Sequence, residues 1–202
     1  MKKLIIYSYP TKSININILQ IMTPLDKYGY AAVLGFFTSN ILSFLGVMTG
    51  QEAVDYYAEV HLSTWNSFIH TIGMPFTYMG FNLAVPALFG ITNSWNMQMC
   101  FYIAYMVHYA TIDFQTAVVT SYIYYHVISD AHKLYMKKFT SRVGYFFLGL
   151  GISTVALLCQ EFFGHYIGGD DPSRAEGVLN AILYAKFYSV QHVIDIIRYG
   201  LF

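Results

Sequence analysis

The sequence predicts an all-α fold, a multi-pass transmembrane bundle of about four to six membrane helices. Two observations carry this. Charged residues make up only 11% of the 202 residues and hydrophobic residues 56%, where an ordinary globular domain carries about 25% charge. The few charges are also segregated. None falls in the 53 residues between Glu59 and Asp113, in the 24 from Tyr28 to Gln51, or in the 18 from Val143 to Gln160. A membrane-crossing helix needs about 20 apolar residues, and an Asp, Lys or Arg at its centre costs about 2.5–3.5 kcal/mol. A soluble helical protein would instead need polar residues every third or fourth position along its outer faces. The balance of 11 basic and 11 acidic residues argues against a nucleic-acid partner, and an aromatic content of 18% excludes disorder. Cys100 and Cys159 lie in apolar runs and read as small buried hydrophobes. No CxxC is present, which excludes a thiolate zinc site.

Taken in order, residues 1–27 are mixed and peripheral. Met1-Lys2-Lys3 is followed by only Leu4-Ile5-Ile6, without the long apolar core of a secretory signal. Residues 28–48 are apolar but rich in Gly, Ser and Asn, and read either as a span or as a buried or re-entrant helix. Residues 1–50 thus form an extension with room for one extra membrane helix, ahead of a helical domain over 51–202. From Gln51 to Val60, Glu52, Asp55 and Glu59 share one side while Ala53, Val54, Tyr57 and Ala58 take the other, the pattern of an amphipathic helix at a membrane surface. Ser63 or Thr64 caps the next helix, which runs to about residue 91 with Pro75 and Pro86 expected to kink it. Apolar helices follow at 97–112 and 114–129, divided by Asp113. The segment 130–142, with Lys133, Lys137, Lys138 and Arg142, reads as a loop, cytoplasmic by its positive charge. Residues 143–163 form the cleanest span, 168–174 a polar loop, and 177–199 a final helix carrying Lys186, Asp195 and Arg198.

Seven histidines supply the ionisable groups of several apolar runs, and such groups within a membrane are functional candidates. His61 and His70 are nine apart, which on one continuous helix would turn them to opposite sides. A helix break at Ser63–Thr64 lets both imidazoles face one point. Asn66 shares a face with His70. His165 follows the 143–163 span, with Glu161 four residues earlier. Four crossings between residues 67 and 163 would return the chain to its starting side and bring His165 to His61 and His70, a plausible arrangement for a metal site in a bundle. His108 and Asp113 read as helix-interface hydrogen-bonding groups or ligands, His126 as packing, His132 as solvated, and His192 as a fourth-ligand candidate.

The stretch Tyr57-Ala58-Glu59-Val60-His61-x4-Asn66-x3-His70-x2-Gly73-x-Pro75 closely resembles the amino-terminal motif of the Mpo1-like family, whose fungal members are 2-hydroxy fatty acid dioxygenases. Gln160 to His165 and Asp170-Asp171-Pro172 resemble its second motif, with Glu161 where the family has glutamine four before the histidine and Gln160 one place off. The similarity covers about residues 53–190. It implies an integral membrane enzyme of the endoplasmic reticulum that uses iron(II) and molecular oxygen to shorten a long-chain 2-hydroxy fatty acid by one carbon, within the lipid bilayer, in breakdown of phytosphingosine-type sphingolipid bases. On that resemblance His61, His70 and His165 hold the metal and, with Glu161, form the catalytic group; Glu161 or Asp170 completes the ligand set. Asn66 and Asp170 stand behind the ligands, where outer hydrogen bonds orient imidazoles. Imidazole and carboxylate suit non-haem iron(II), and zinc or manganese fits the same ligands. The competing expectation is a non-catalytic membrane protein of the same fold that binds or transports lipid.

Overall fold

The computed structural model describes residues 23–171 and 178–199. The amino-terminal lysines, Pro172 and Ser173 lie outside the described residues. Within them the chain forms seven α-helices and no strand: α1 (Pro24–Phe44), α2 (Gly50–Ala58), α3 (Thr64–Phe89), α4 (Trp95–Ala110), α5 (Phe114–Met136), α6 (Arg142–Cys159) and α7 (Val178–Tyr199). α6 continues without interruption into a π-helical segment, Gln160–Tyr166.

Short polar side chains start four of these helices where the sequence breaks its apolar runs. Thr23 and Asp26 form a reciprocal capping box at α1. Ser63 accepts the Asn66 N–H at α3, Asp113 accepts that of Thr116 at α5, and Ser141 accepts that of Gly144 at α6. Each satisfies a backbone donor that a helix start leaves without an intrahelical partner. Asp113 is therefore a cap, and the division it was expected to make between two helices is present.

α3 runs through both Pro75 and Pro86. Proline removes the N–H that would bond the carbonyl four residues earlier. For Pro86 that carbonyl belongs to Asn82, and the buried Gln98 on α4 donates to it through Nε2 at 2.7 Å. α3 ends at Gly90, whose φ of 67° is the left-handed conformation that glycine adopts freely. Its last carbonyls, Ala87 and Leu88, accept Arg142 Nε at 2.5 Å and Nη2 at 2.6 Å. α3 and α6 cross at Gly80 and Gly149, where a Cβ on either residue would lie 2.4 Å from the other's carbonyl oxygen.

The expected loop over 130–142 is much shorter. α5 continues to Met136 because Tyr124, Ile128, Ala131 and Tyr135 keep one buried stripe at helical spacing, while Asp130 and Lys133 pair at 3.0 Å on the solvent side. The local charge density masks that periodicity. Cys159 is exposed and Cys100 half-buried, so the buried placement expected for them does not hold. Cys159 sits on the outward side of α6.

Two helical stretches, Thr64–Phe89 and the continuous Arg142–Tyr166, are long and apolar enough to cross a membrane. α4, at 16 residues, reaches about 24 Å, short of a hydrocarbon core of roughly 30 Å. Large apolar side chains such as Phe36 and Phe44 on α1 and Phe147, Val155 and Leu158 on α6 point outward. Inside, Tyr57, Tyr109, Tyr184 and Phe187 knit α2, α4 and α7 together, and Leu83, Ala131, Tyr135 and Tyr145 join α3, α5 and α6.

Candidate metal centre

Three histidines from distant parts of the sequence meet at one end of α3. His61 follows α2, His70 lies in the second turn of α3, and His165 is in the π-helical segment. Their ring centroids are 4.5 Å apart for His61 and His70, 4.7 Å for His61 and His165, and 5.2 Å for His70 and His165. One ring nitrogen from each lies within 4.8 Å of the others. All three side chains are at least 96% buried.

The break at Leu62–Ser63 creates this convergence. α2 buries Ala53, Val54 and Tyr57 and leaves Glu52 and Asp55 outside, as its amphipathic pattern dictates. The chain then turns, so His61 and His70 stand on separate helical axes. Tyr188 on α7 fastens the turn by donating its hydroxyl to the His61 carbonyl at 3.1 Å. The helices α3 to α6 carry the chain away and back, which returns His165 to the same end.

The Nδ1 side of each imidazole is held by an oxygen. His61 Nδ1 lies 2.8 Å from the Tyr57 carbonyl, His70 Nδ1 3.2 Å from the Tyr57 hydroxyl, and His165 Nδ1 2.5 Å from the Asp171 carbonyl. In the tautomer with the proton on Nδ1, each N–H donates to that oxygen and Nε2 carries the lone pair. Nε2 of His61 and Nε2 of His70 are buried without a hydrogen-bond partner. Burial pushes the His61 imidazole down to about 4, its backbone hydrogen bond opposing the shift in part, so the ring is neutral near pH 7. Three buried imidazoles converging on one point, with the outer nitrogens fixed and Nε2 of His61 and of His70 unpartnered, are a donor set for a divalent transition metal ion. The residues fit such an ion, and the set does not distinguish iron from zinc.

Asn66 and Asp170 stand behind the imidazoles. Asn66 is fully buried; its Nδ2 lies 3.3 Å from His165 Nδ1 and donates to the Asp170 carboxylate at 2.8 Å. Asp170 also accepts the Ser63 N–H at 3.0 Å, placing a negative charge at the amino terminus of α3, where the helix dipole favours it. Asp170 is outside the cluster of ligating atoms.

The π-helical turn changes the spacing expected around Glu161. Its i to i+5 hydrogen bonding brings residues five apart toward one face. Gln160 rather than Glu161 is fully buried, donating to Thr77 Oγ1 and to the Ala156 carbonyl, both at 3.0 Å. Glu161 is half-buried, lines the adjoining cavity and is not part of the imidazole cluster. Gly164 lets the π-helical segment approach α3: a Cβ there would lie 2.4 Å from Asn66 Oδ1. Trp65 Nε1 donates to the Phe163 carbonyl at 2.8 Å across the same junction.

The remaining histidines lie elsewhere. His108 is buried, with Nε2 3.0 Å from the Tyr184 hydroxyl. His126 is exposed, between Tyr122 and Tyr125. His132, expected in a solvated loop, is half-buried because α5 extends past it; its Nδ1 lies 3.1 Å from Ser94 Oγ. His192 stacks on Tyr188, outside the cluster. Tyr57 was legible in the sequence as part of the inward face and of the motif, but its contacts with two imidazoles were not. Sequence reasoning gave no role to Lys186, a lone cation in an apolar run.

A cavity of about 640 Å³ opens from His61 and His70 into the bundle. Along α3 its wall runs from His70 to Val85, about 22 Å of helix. Met74, Phe81, Phe101 and Ile182 are among its apolar lining residues, and Lys186 also borders it. Comparison of the chain with models of protein families, with curated proteins and with solved structures finds no match.

Proposed function

We propose that this chain is a membrane-embedded, iron(II)-dependent dioxygenase of the Mpo1-like type that removes one carbon from long-chain 2-hydroxy fatty acids. The observation that carries the reading is the cluster of His61, His70 and His165, with its partnerless Nε2 atoms on His61 and His70, at the head of an apolar cavity. Iron(II) held by these imidazoles would supply dioxygen activation and a chelation point for the hydroxyl and carboxylate of the acid. The net change balances as hydroxy acid plus dioxygen giving the shorter acid, carbon dioxide and water.

The chain's own residues supply the rest. Tyr57 fixes the orientation of two imidazoles at once, and the Asp171 carbonyl holds the third, with Asn66, tied to Asp170, packed beside it. The cavity takes the acyl chain and keeps water from it. One acyl leaflet is about half of a roughly 30 Å hydrocarbon core, so about 22 Å of lined helix accommodates a long chain. Gln160 Oε1, buried without a partner, faces the same region as a hydrogen-bond acceptor. Glu161 is the one carboxylate among the described residues lining the cavity.

Residence in the endoplasmic reticulum membrane belongs to the same reading. The two helices long and apolar enough to span support the membrane placement. α1, α5 and α7, at 21, 23 and 22 residues, have the length to join them as further membrane helices.

The test uses detergent-purified chain loaded anaerobically with iron(II) and then given oxygen and 2-hydroxyhexadecanoic acid, with products read by mass spectrometry. Pentadecanoic acid, absent with His70→Ala, is the expected result. Bound iron without that product would overturn the proposed reaction, and absence of bound metal would overturn the metal centre.

A further inference from the structure

The cavity holds a basic side chain that the proposed chemistry does not use. Lys186 on α7 is 1% exposed and borders the cavity. Its Nζ donates to the Tyr78 hydroxyl and lies 3.4 Å from the ring centroid of Tyr105 and 4.2 Å from that of Tyr78. Among the described residues no carboxylate comes within ion-pair distance of it; the one ion pair is Asp130 with Lys133. Lysine is almost never fully buried unless paired, because an ammonium taken out of water needs a counter-charge. The tyrosine faces favour the charged form but neutralise nothing.

We propose that Lys186 is a carboxylate-binding site inside the cavity, selecting long-chain carboxylic acids over neutral lipids of the same length. This rests on the reading that the cavity takes an acyl chain, and not on iron chemistry. Apolar walls discriminate weakly between an acid and the corresponding alcohol, whereas a buried polar group left unpaired by the wrong ligand discriminates strongly. Here the empty or alcohol-filled cavity leaves the buried amine without an ionic partner, and the acid supplies one. Tyr78, the hydroxyl partner of Lys186, lies eight residues beyond His70 on α3, about 12 Å along the helix. Lys186 is thus a second polar station in the cavity, and a carboxylate held on it is a second bound pose, distinct from the one in which the hydroxyl and carboxylate of the acid reach the imidazole cluster.

The experiment measures equilibrium binding of tritiated hexadecanoic acid and hexadecan-1-ol to the full chain in detergent, with EDTA present so that no metal contributes to acid binding. The wild-type chain is expected to bind the acid at least tenfold more tightly than the alcohol. Lys186→Met should bind both alike, and Lys186→Arg should keep the preference. No preference in the wild type, or one that survives in Lys186→Met, overturns the proposal. A measurement on the wild type alone does not depend on how the variants fold: carbodiimide coupling of bound hexadecanoic acid should place the new amide on Lys186, and adducts confined to other lysines overturn the proposal. If neither ligand binds, the acyl-chain reading of the cavity falls with it. If the acid binds as expected and the iron assay gives no shortened product, the enzymatic reading alone falls.

Discussion

Asn66 and Asp170, 104 residues apart in sequence, are joined by a hydrogen bond of 2.8 Å from the Asn66 amide to the Asp170 carboxylate. The same carboxylate accepts the Ser63 N–H, so one side chain ties the segment after His165 to the start of α3. Asp170→Ala leaves both donors without this acceptor. The expected cost is about 1–3 kcal/mol, read as a lower Tm. Metal affinity should fall about 10–100-fold, the usual effect of losing an outer partner of a ligand. Titration of the purified variant with Co(II), followed by its visible absorption, checks this; wild-type affinity would show that the Asn66–Asp170 link does not orient His165.

Tyr57 serves His61 through its carbonyl and His70 through its hydroxyl. Tyr57→Phe removes only the second contact and keeps the stacking of ring 57 on His61, now 4.0 Å between centroids. Loss of one hydrogen bond predicts a stability change near 1 kcal/mol beside a metal-affinity loss of about tenfold or more. A variant with lowered Tm and unchanged affinity would reduce Tyr57 to a packing residue.

Much of the helix order was legible because charge exclusion and helix caps are local. Asp113 divides two apolar runs and caps the second. Ser63 breaks the chain between His61 and His70, and that break suffices to bring two imidazoles to one point. Other features depend on partners that sequence spacing does not display. The stripe from Tyr124 to Tyr135 overrides the charges of Asp130 and Lys133 because its buried face packs against α3 and α6. The π-helical turn at Gln160–Tyr166 follows from the approach of Gly164 to Asn66, a contact between residues 98 positions apart in the chain. Spacing rules for an α-helix therefore put Glu161 on the face that Gln160 takes. Tyr57 and Lys186 were visible as residue types, but their roles arise only where α2, α3, α4 and α7 meet.

Gly164 gives a direct probe of that turn. An added methyl would meet Asn66 Oδ1 at 2.4 Å and His70 Cδ2 at 3.3 Å, and neither neighbour is the loose end of a surface side chain. Gly164→Ala should destabilise the chain by about 1–3 kcal/mol, as overpacking does, and should weaken metal binding more than Gly151→Ala, where nothing lies within 4 Å. Thermal denaturation and Co(II) titration of the two variants side by side make the comparison. Equal behaviour would mean that the π-helical segment yields without disturbing the imidazoles.

Pro86 and Gln98 offer a test by double-mutant cycle. Pro86 cannot bond the Asn82 carbonyl, and Gln98 Nε2 does so instead at 2.7 Å, its own Oε1 accepting from Ser94 Oγ at 3.2 Å. Gln98→Leu strands a carbonyl inside the bundle and is expected to cost about 1–3 kcal/mol. In a Pro86→Ala background residue 86 regains an N–H directed at the Asn82 carbonyl, so the same Gln98→Leu change should cost less. The coupling between the two sites, measured from denaturant midpoints of the four proteins, is expected at about 0.5 kcal/mol or more. Additive costs would mean that Gln98 stabilises the α3–α4 contact by packing and that the carbonyl freed by proline is satisfied in another way.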